Sequence, residues 1–305
     1  MAKPESSQYS SRQYLTARAS GQSEPEARRR ALSALSGIFE SEISSRVRAE
    51  TRSVISSRHG EHLEKNVEET IRIQSSVQLE GAKIGDSWKS DGLWHAIAVL
   101  DRAKARQQWI SELKQIDNSL AGSIRAYHEL NSPVRKLRAI DRIMNKWLEK
   151  QAVQSRMRVI GAHYDSRIKS DIADIVRKLP QIKSSMRIFI DISGARSRTV
   201  QDRISRHLTE EGYILTDAES KADVIIKGRT RVAPVDLDRG KWEFVRASIT
   251  ASILDKTTGD RVANVSKDCR AAHLNVREAT RKAIEEVSGK AAREIGDQFV
   301  SPEEK

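Results

Sequence analysis

Apolar positions along the chain recur with two different periods, and the change of period marks where one kind of structure gives way to another. Tyr14 to Ala19 alternates and reads as a short strand ending at Gly21. Ser23-Glu24-Pro25-Glu26 follows, a capping-box pattern with proline in the first helical turn. The helix it opens carries Ala27, Ala31, Leu35, Ile38, Phe39, Ile43 and Val47 at three- and four-residue spacing, which predicts one apolar face about five turns long. Apolar stretches at 67–79, 82–88 and 93–100 come next. The run Trp94-His95-Ala96-Ile97-Ala98-Val99-Leu100, with small residues interleaved, predicts a sheet strand.

From Arg102 to about Gly161 the period is helical. Trp109, Leu113, Ile116, Leu120, Ile124, Tyr127 and Leu130 step by four and three, a narrow seam of coiled-coil type. Asn131-Ser132-Pro133 breaks it, with Ser132 as N-cap and Pro133 at the first helical position. A second helix carries Leu137, Ile140, Met144 and Leu148, and so short a connection predicts an antiparallel hairpin. The seam could also close between two chains, giving a homo-oligomer. A third helical stretch is expected from His163 to Leu179, ending at Pro180.

The last block has an α/β pattern. Strands are expected at Arg187–Ile192, Asp223–Gly228 and Val245–Ile253, the last turning at Thr257-Thr258-Gly259-Asp260 into Val262 and Val265. An amphipathic helix is predicted at Thr199–Glu211 and a closing helix at about Val276–Phe299. The fold class is therefore α+β. The expected organisation is a disordered tail at 1–12, an α+β domain with one long helix at 13–101, a basic helical hairpin at 102–180, an α/β domain at 181–300 and a tail at 301–305.

Charge changes the picture in one place. The net charge is +12, but residues 1–101 carry 14 Lys+Arg against 14 Asp+Glu, residues 102–180 carry 17 against 8, and residues 181–305 carry 23 against 20. The basic character belongs to the hairpin. There Arg138, Arg142, Lys146 and Lys150 recur every four residues, with Arg135 beside them. Such a stripe invites an anionic partner: a phosphate-bearing surface, an acidic protein or nucleic acid. Like charges at that spacing also cost a helix about 0.2–0.5 kcal/mol per pair, and charge runs are most often solvated faces. Only Trp147 interleaves with the stripe, which disfavours single-stranded nucleic acid.

Candidate chemistry is sparse. Cys269 is the single cysteine, which excludes an intramolecular disulfide and a multi-cysteine metal site and reads as a buried, inert thiol. The seven histidines include no pair four residues apart, the spacing of a helical zinc-protease motif. His59 and His62, beside Glu61 and Glu64, are the nearest to a metal-ligand spacing and read as surface residues. Ser193-Gly194-Ala195-Arg196-Ser197-Arg198-Thr199 joins a strand to a helix and could hold an anion on its amides, yet it lacks the ending of a nucleotide-binding loop; it reads as a capped, solvated turn. Glu68-Glu69, Glu210-Glu211 and Glu285-Glu286 sit in charged contexts and read as solvated faces. No catalytic residue, cofactor or metal site is expected, and the chain reads as a non-enzyme. No stretch of eighteen apolar residues exists, and the first residues lack the apolar core of a signal peptide.

Two segments resemble known families. Ala17-Arg18-Ala19-Ser20-Gly21, Ala27, Ala31, Val77-Gln78-Leu79-Glu80-Gly81, Ile84, Trp88, Gly92 and the strand Trp94 to Leu100 closing at Arg102 resemble, over residues 14–102, the small bacterial lipoprotein family named after a twenty-kilodalton lipoprotein. Ala222-Asp223-Val224-Ile225-Ile226-Lys227-Gly228, the alternating strand into Leu254-Asp255, Thr258-Gly259 and the alanines Ala279, Ala283, Ala291 and Ala292 resemble, over residues 186–299, the N-terminal domain of the translocation protein TolB. That order of domains is similar to flagellar assembly protein T, without its third domain and with an added basic hairpin. The resemblance implies a periplasmic assembly protein, free or anchored in the outer membrane, whose leader has been removed, with envelope, flagellar basal-body or cell-wall partners. The alternative is a nucleic-acid-binding protein using Arg135, Arg138, Arg142, Lys146 and Lys150.

Overall fold

The structure, a computed structural model, describes residues 8–54, 67–73, 79–166, 168–236 and 241–300. Its class is α+β. The chain divides into two compact units, Met1–Arg125 with Ile143–Asp174, and Ala126–Arg142 with Ile175–Lys305.

In the first unit, β1 (Tyr14–Gly21), β2 (Lys83–Ser90) and β3 (Leu93–Asp101) form an antiparallel sheet of order β1-β3-β2. The central β3 buries Ala96 to Leu100 without a break, as a strand covered on both faces must. The helix α1 (Glu24–Val54) packs along it. Its buried residues, Ala27, Ala31, Leu35, Phe39, Ile43 and Val47, are each four apart. Four residues turn a helix by about 400°, so the stripe drifts about 40° per step. Its first half faces the sheet, and by Phe39 it meets Trp109, the rings 5.9 Å apart and edge-on. Ile38, expected on this face, sits beside the drifting stripe and is 41% exposed.

The start of α1 also differs from the capping box. Glu26 reaches back to accept from the Gln22 N–H at 2.8 Å, one residue earlier than the pattern expects. A short helical stretch at 67–73, α2, is tied to α1 by Arg48 and Glu68 at 2.8 Å. Residues 8–12, expected to be part of a disordered tail, are placed: the Tyr9 hydroxyl donates to the Gly85 carbonyl at 2.9 Å.

The helices α3 (Arg102–Glu129) and α4 (Pro133–Val159) form where the period changed, and both units take residues from each. Asp101 caps α3, its Oδ1 accepting from the N–H groups of Ala103 and Lys104 at 2.9 and 3.1 Å. Ser132 caps α4 as expected, its Oγ accepting from Arg135 N–H at 3.1 Å. The seam residues Trp109, Leu113, Ile116, Leu120, Ile124 and Tyr127 are buried within one chain, so the seam needs no second copy to cover it. The third helical stretch is two helices, α5 (Ile168–Arg177) and α6 (Leu179–Ser185). Pro180 opens α6 instead of ending a helix; in a first turn its missing N–H has no partner to lose.

The second unit is built on a five-stranded sheet of order β5-β4-β6-β7-β8: β4 (Arg187–Gly194), β5 (Ile214–Leu215), β6 (Val224–Val235), β7 (Glu243–Asp255) and β8 (Asp260–His273). β4 runs parallel to β5 and β6, while β6-β7-β8 is an antiparallel meander. α7 (Ser197–Glu210) and α8 (Val276–Val300) pack on one another and on the sheet. They bury Val200, Ile204 and Leu208 from α7 and the alanine-rich stripe Ala279, Ala283, Ala291 and Ala292 from α8. Their small side chains let the helix lie close to the strands. β6 is longer than its sequence suggests, continuing past Gly228 to Val235.

Candidate functional site: an arginine-lined groove between α7 and α8

The basic stripe of α4 was the sequence's main candidate, and its members do not share an open face. Lys150 is 3% exposed and contacts Asp117 Oδ1 at 2.6 Å; Tyr164 donates its hydroxyl to Asp117 Oδ2 at 2.9 Å. Arg138 is half-buried and donates to the Gln298 carbonyl at 2.8 Å and the Val262 carbonyl at 3.1 Å. Arg135 pairs with Asp260 and pulls that carboxyl below its usual range, after a larger contribution from Thr258. Lys146 pairs with Glu149 at 2.7 Å, while Arg142 is exposed. Trp147, expected beside the stripe, is buried. The four-residue spacing spirals around the helix, so Lys150 and Arg138 turn to internal partners, Arg135 and Lys146 pair at the surface, and Arg142 stays exposed.

The other sequence candidates resolve in the same way. Cys269 is buried, Lys290 donates to its Sγ at 3.2 Å, and burial pushes the thiol up. Glu68, Glu211, Glu285 and Glu286 each sit in an ion pair. His59 and His62 lie outside the described residues, and among the described residues no group of three or more His, Cys, Asp or Glu could hold a metal ion. No helix among the described residues is long and apolar enough to cross a membrane. The turn from Ser193 to Thr199 lacks the expected side-chain cap. Arg196 takes the N-cap position in a left-handed conformation, φ 54°, and the Thr230 hydroxyl donates to the Ala195 carbonyl.

That turn leads into a groove the sequence did not single out. α7 and α8 run side by side with their N-termini at the same end of the unit. Between their outer faces lies a groove of about 540 Å³ whose walls include Arg196, Arg203, Arg206, Arg277, Arg281 and Glu285. It continues past Arg203 and Arg206 into a second hollow of about 200 Å³ that adds Glu210 and Arg293. Arg281 is spoken for: it donates to Glu278 at 3.0 Å and Glu285 at 2.9 Å, which together raise its pKa. Arg196, Arg203, Arg206, Arg277 and Arg293 make no ion pair among the described residues. The acidic groups without one along the same walls are Asp202 and Glu210. Counting Arg281 and its two partners, six guanidiniums stand against four carboxylates, an excess that gives the groove a net attraction for anions.

A larger cavity of about 730 Å³ lies in the first unit, lined by Gln107, Gln108, Trp109, Glu112, Gln115 and Arg156 among others. Burial pushes the half-buried Glu112 up and Arg156 down, while each draws the other back toward its charged form. Gln108 is bonded to Glu80. Its charges answer one another across the lining.

No family model matches the chain, and no curated protein matches it. Among solved structures, a secreted protein of Helicobacter pylori matches 95% of this chain and 99% of its own at 13% identity and a TM-score of 0.44. A minor lipoprotein of Acinetobacter baumannii matches 37% of this chain and 90% of its own at 16% identity and a TM-score of 0.27. A lipoprotein of Neisseria meningitidis matches 37% of this chain and 99% of its own at 10% identity, also at 0.27. The similar structures are thus bacterial secreted and lipoprotein-type proteins. With TM-scores below 0.5, these likenesses are too loose to assign an activity, a partner or a location.

Proposed function

We propose that this chain is a non-catalytic assembly protein of the bacterial cell envelope, and that its second unit takes an acidic segment of a partner protein into the α7–α8 groove. The observation that carries the reading is the set of five unpaired arginines along that groove. Guanidinium forks match carboxylates in pairs and are more weakly hydrated than ammonium groups, so a row of them favours a carboxylate-rich chain. α7 has 14 residues, about 21 Å of helix. An extended segment of about six residues spans that length. The envelope setting is supported by the two sequence resemblances, over residues 14–102 and 186–299. Their order supports the finer reading, a part in a flagellar or cell-wall machine.

The experiment is in-cell photo-crosslinking from Thr199, which lines the groove, followed by cell fractionation. The expected result is one crosslinked envelope protein, joined through an acidic segment and lost when R203E and R206E are introduced together. Crosslinks confined to cytoplasmic proteins, or unchanged by the charge reversal, would overturn the reading.

A further inference from the structure

The cavity of about 730 Å³ in the first unit falls within the size range of small-molecule sites, about 300–1,000 Å³. Its described lining belongs wholly to that unit. One wall is a single face of α3, beside the buried seam of Trp109, Leu113 and Ile116, so packing of the seam fixes where this face points. Lys104, Gln107, Ser111 and Gln115 recur along it every three or four residues, a row about 16 Å long. These side chains are exposed and form the rim, while Trp109 at 3% exposure and Arg156 at 7% form the floor.

The chemistry of the lining is narrow. Two carboxylates, Glu80 and Glu112, stand against two cations, Lys104 and Arg156. Glu112 and Arg156 draw each other toward their charged forms, and Glu80 accepts from the Gln108 amide. The charges balance within the protein and leave little net attraction for an ion. The groups left to a ligand are uncharged: the amides of Gln107 and Gln115 and the hydroxyl of Ser111 make no side-chain hydrogen bond among the described residues. An amide carries donors and an acceptor together, and a hydroxyl plays both roles. The apolar surface among the described lining residues is Leu79 and Trp109, both buried. That gives a peptide no pockets for its side chains and a lipid no apolar bed.

We infer that this cavity binds an uncharged oligosaccharide, whose hydroxyls exchange hydrogen bonds with Gln107, Ser111 and Gln115. Each sugar hydroxyl is donor and acceptor at once, as the row along α3 requires. The length of the row suits linked sugars better than a single ring. Burial pushes the half-buried Glu112 carboxyl up; a carboxylate short of water gains most from an added donor, and a hydroxyl reaching the floor supplies one without bringing a charge. A charged ligand would have to displace the pairing already present. All of these residues are outside the α7–α8 groove, and the saccharide site stands whether or not the groove binds a partner.

The test is isothermal titration of the full chain with neutral trisaccharides of glucose, galactose, mannose and N-acetylglucosamine, with trialanine as the peptide control. At least one saccharide is expected to bind, with equal affinity at low and high salt because no ion pair forms. Trialanine is expected not to bind. Q107A/Q115A should weaken saccharide binding about tenfold, the loss of two neutral hydrogen bonds. Alanine is the better helix former, so α3 is retained. N118A, on α3 but outside the lining, and R203E/R206E should bind as the parent does. On binding, hydrogen exchange read by mass spectrometry should slow in residues 104–115 and stay unchanged in residues 197–210. No saccharide bound, affinity that falls with salt, trialanine bound in the saccharide's place, or affinity unchanged in Q107A/Q115A would each overturn the inference.

Discussion

Lys150→Met puts the most localised strain on the first unit. Lys150 is 3% exposed, its nitrogen lies 2.6 Å from Asp117 Oδ1, and the Asp117 side chain is itself only 16% exposed. Methionine fills nearly the same volume without the charge, so packing changes little and the loss is electrostatic. Removing one member of a buried pair costs about 3–5 kcal/mol, because the other charge stays buried without its counterion. Asp117 keeps the Tyr164 hydroxyl at 2.9 Å and some solvent, which places the cost near the low end, about 3 kcal/mol. With a urea slope of about 2 kcal/mol/M for a unit of this size, the first unit's midpoint should fall by about 1.5 M. The assay is urea unfolding followed by circular dichroism, with Asp117→Leu and the double variant completing the cycle. The double variant should recover most of the loss, since no charge is then left stranded. A single-variant cost below about 1 kcal/mol, or a double variant as unstable as the two singles summed, would refute the argument.

Three further outcomes follow from other sites. Burial, helped by Asp117, raises the Tyr164 phenol to about 12; the folded state then holds a proton that the unfolded chain releases near pH 10, so stability present below pH 10 is lost as pH rises toward 12, and Tyr164→Phe should flatten that part of the curve. Gly194→Ala should destabilise the second unit by more than about 2 kcal/mol in the same urea assay, since φ is 96° and a Cβ would lie 2.2 Å from the Thr230 carbonyl oxygen. Cys269, buried and with a raised thiol pKa, should react with a disulfide reagent at pH 7 only after urea unfolds the second unit; prompt reaction in the folded protein would contradict the packing of α8 on β8.

What the sequence made legible is what periodicity encodes. The change from alternation to a helical period placed α3 and α4, and the Ser132-Pro133 cap held because its chemistry is local: one side-chain oxygen and one N–H three residues on. The long alternating strand placed β7 for the same reason. The features that escaped depend on partners far along the chain. Ile38 has the right spacing for the core face of α1, but a strict four-residue stripe drifts past it. Pro180 looks like a stop until the next helix is seen to need its start there. The basic row of α4 reads as a surface stripe because Asp117, Val262 and Gln298, which receive the charges of Lys150 and Arg138, are between 33 and 160 residues away. The groove shows the converse. Residues 181–305 have a net charge of only +3, which hides arginines that α7 and α8 bring together from positions about eighty apart. Bulk charge registers an excess along the chain, whereas binding depends on charge separated in space.

The most direct measurement of the central claim is a fluorescence-anisotropy titration of a labelled oligoglutamate peptide against the full chain at low salt. The groove account predicts saturable binding that weakens as salt rises and falls at least tenfold in R203E/R206E, while an oligolysine peptide binds the reversed variant better than the parent. Binding of oligoglutamate that survives the reversal intact, or that moves instead with Arg142 of α4, would contradict it.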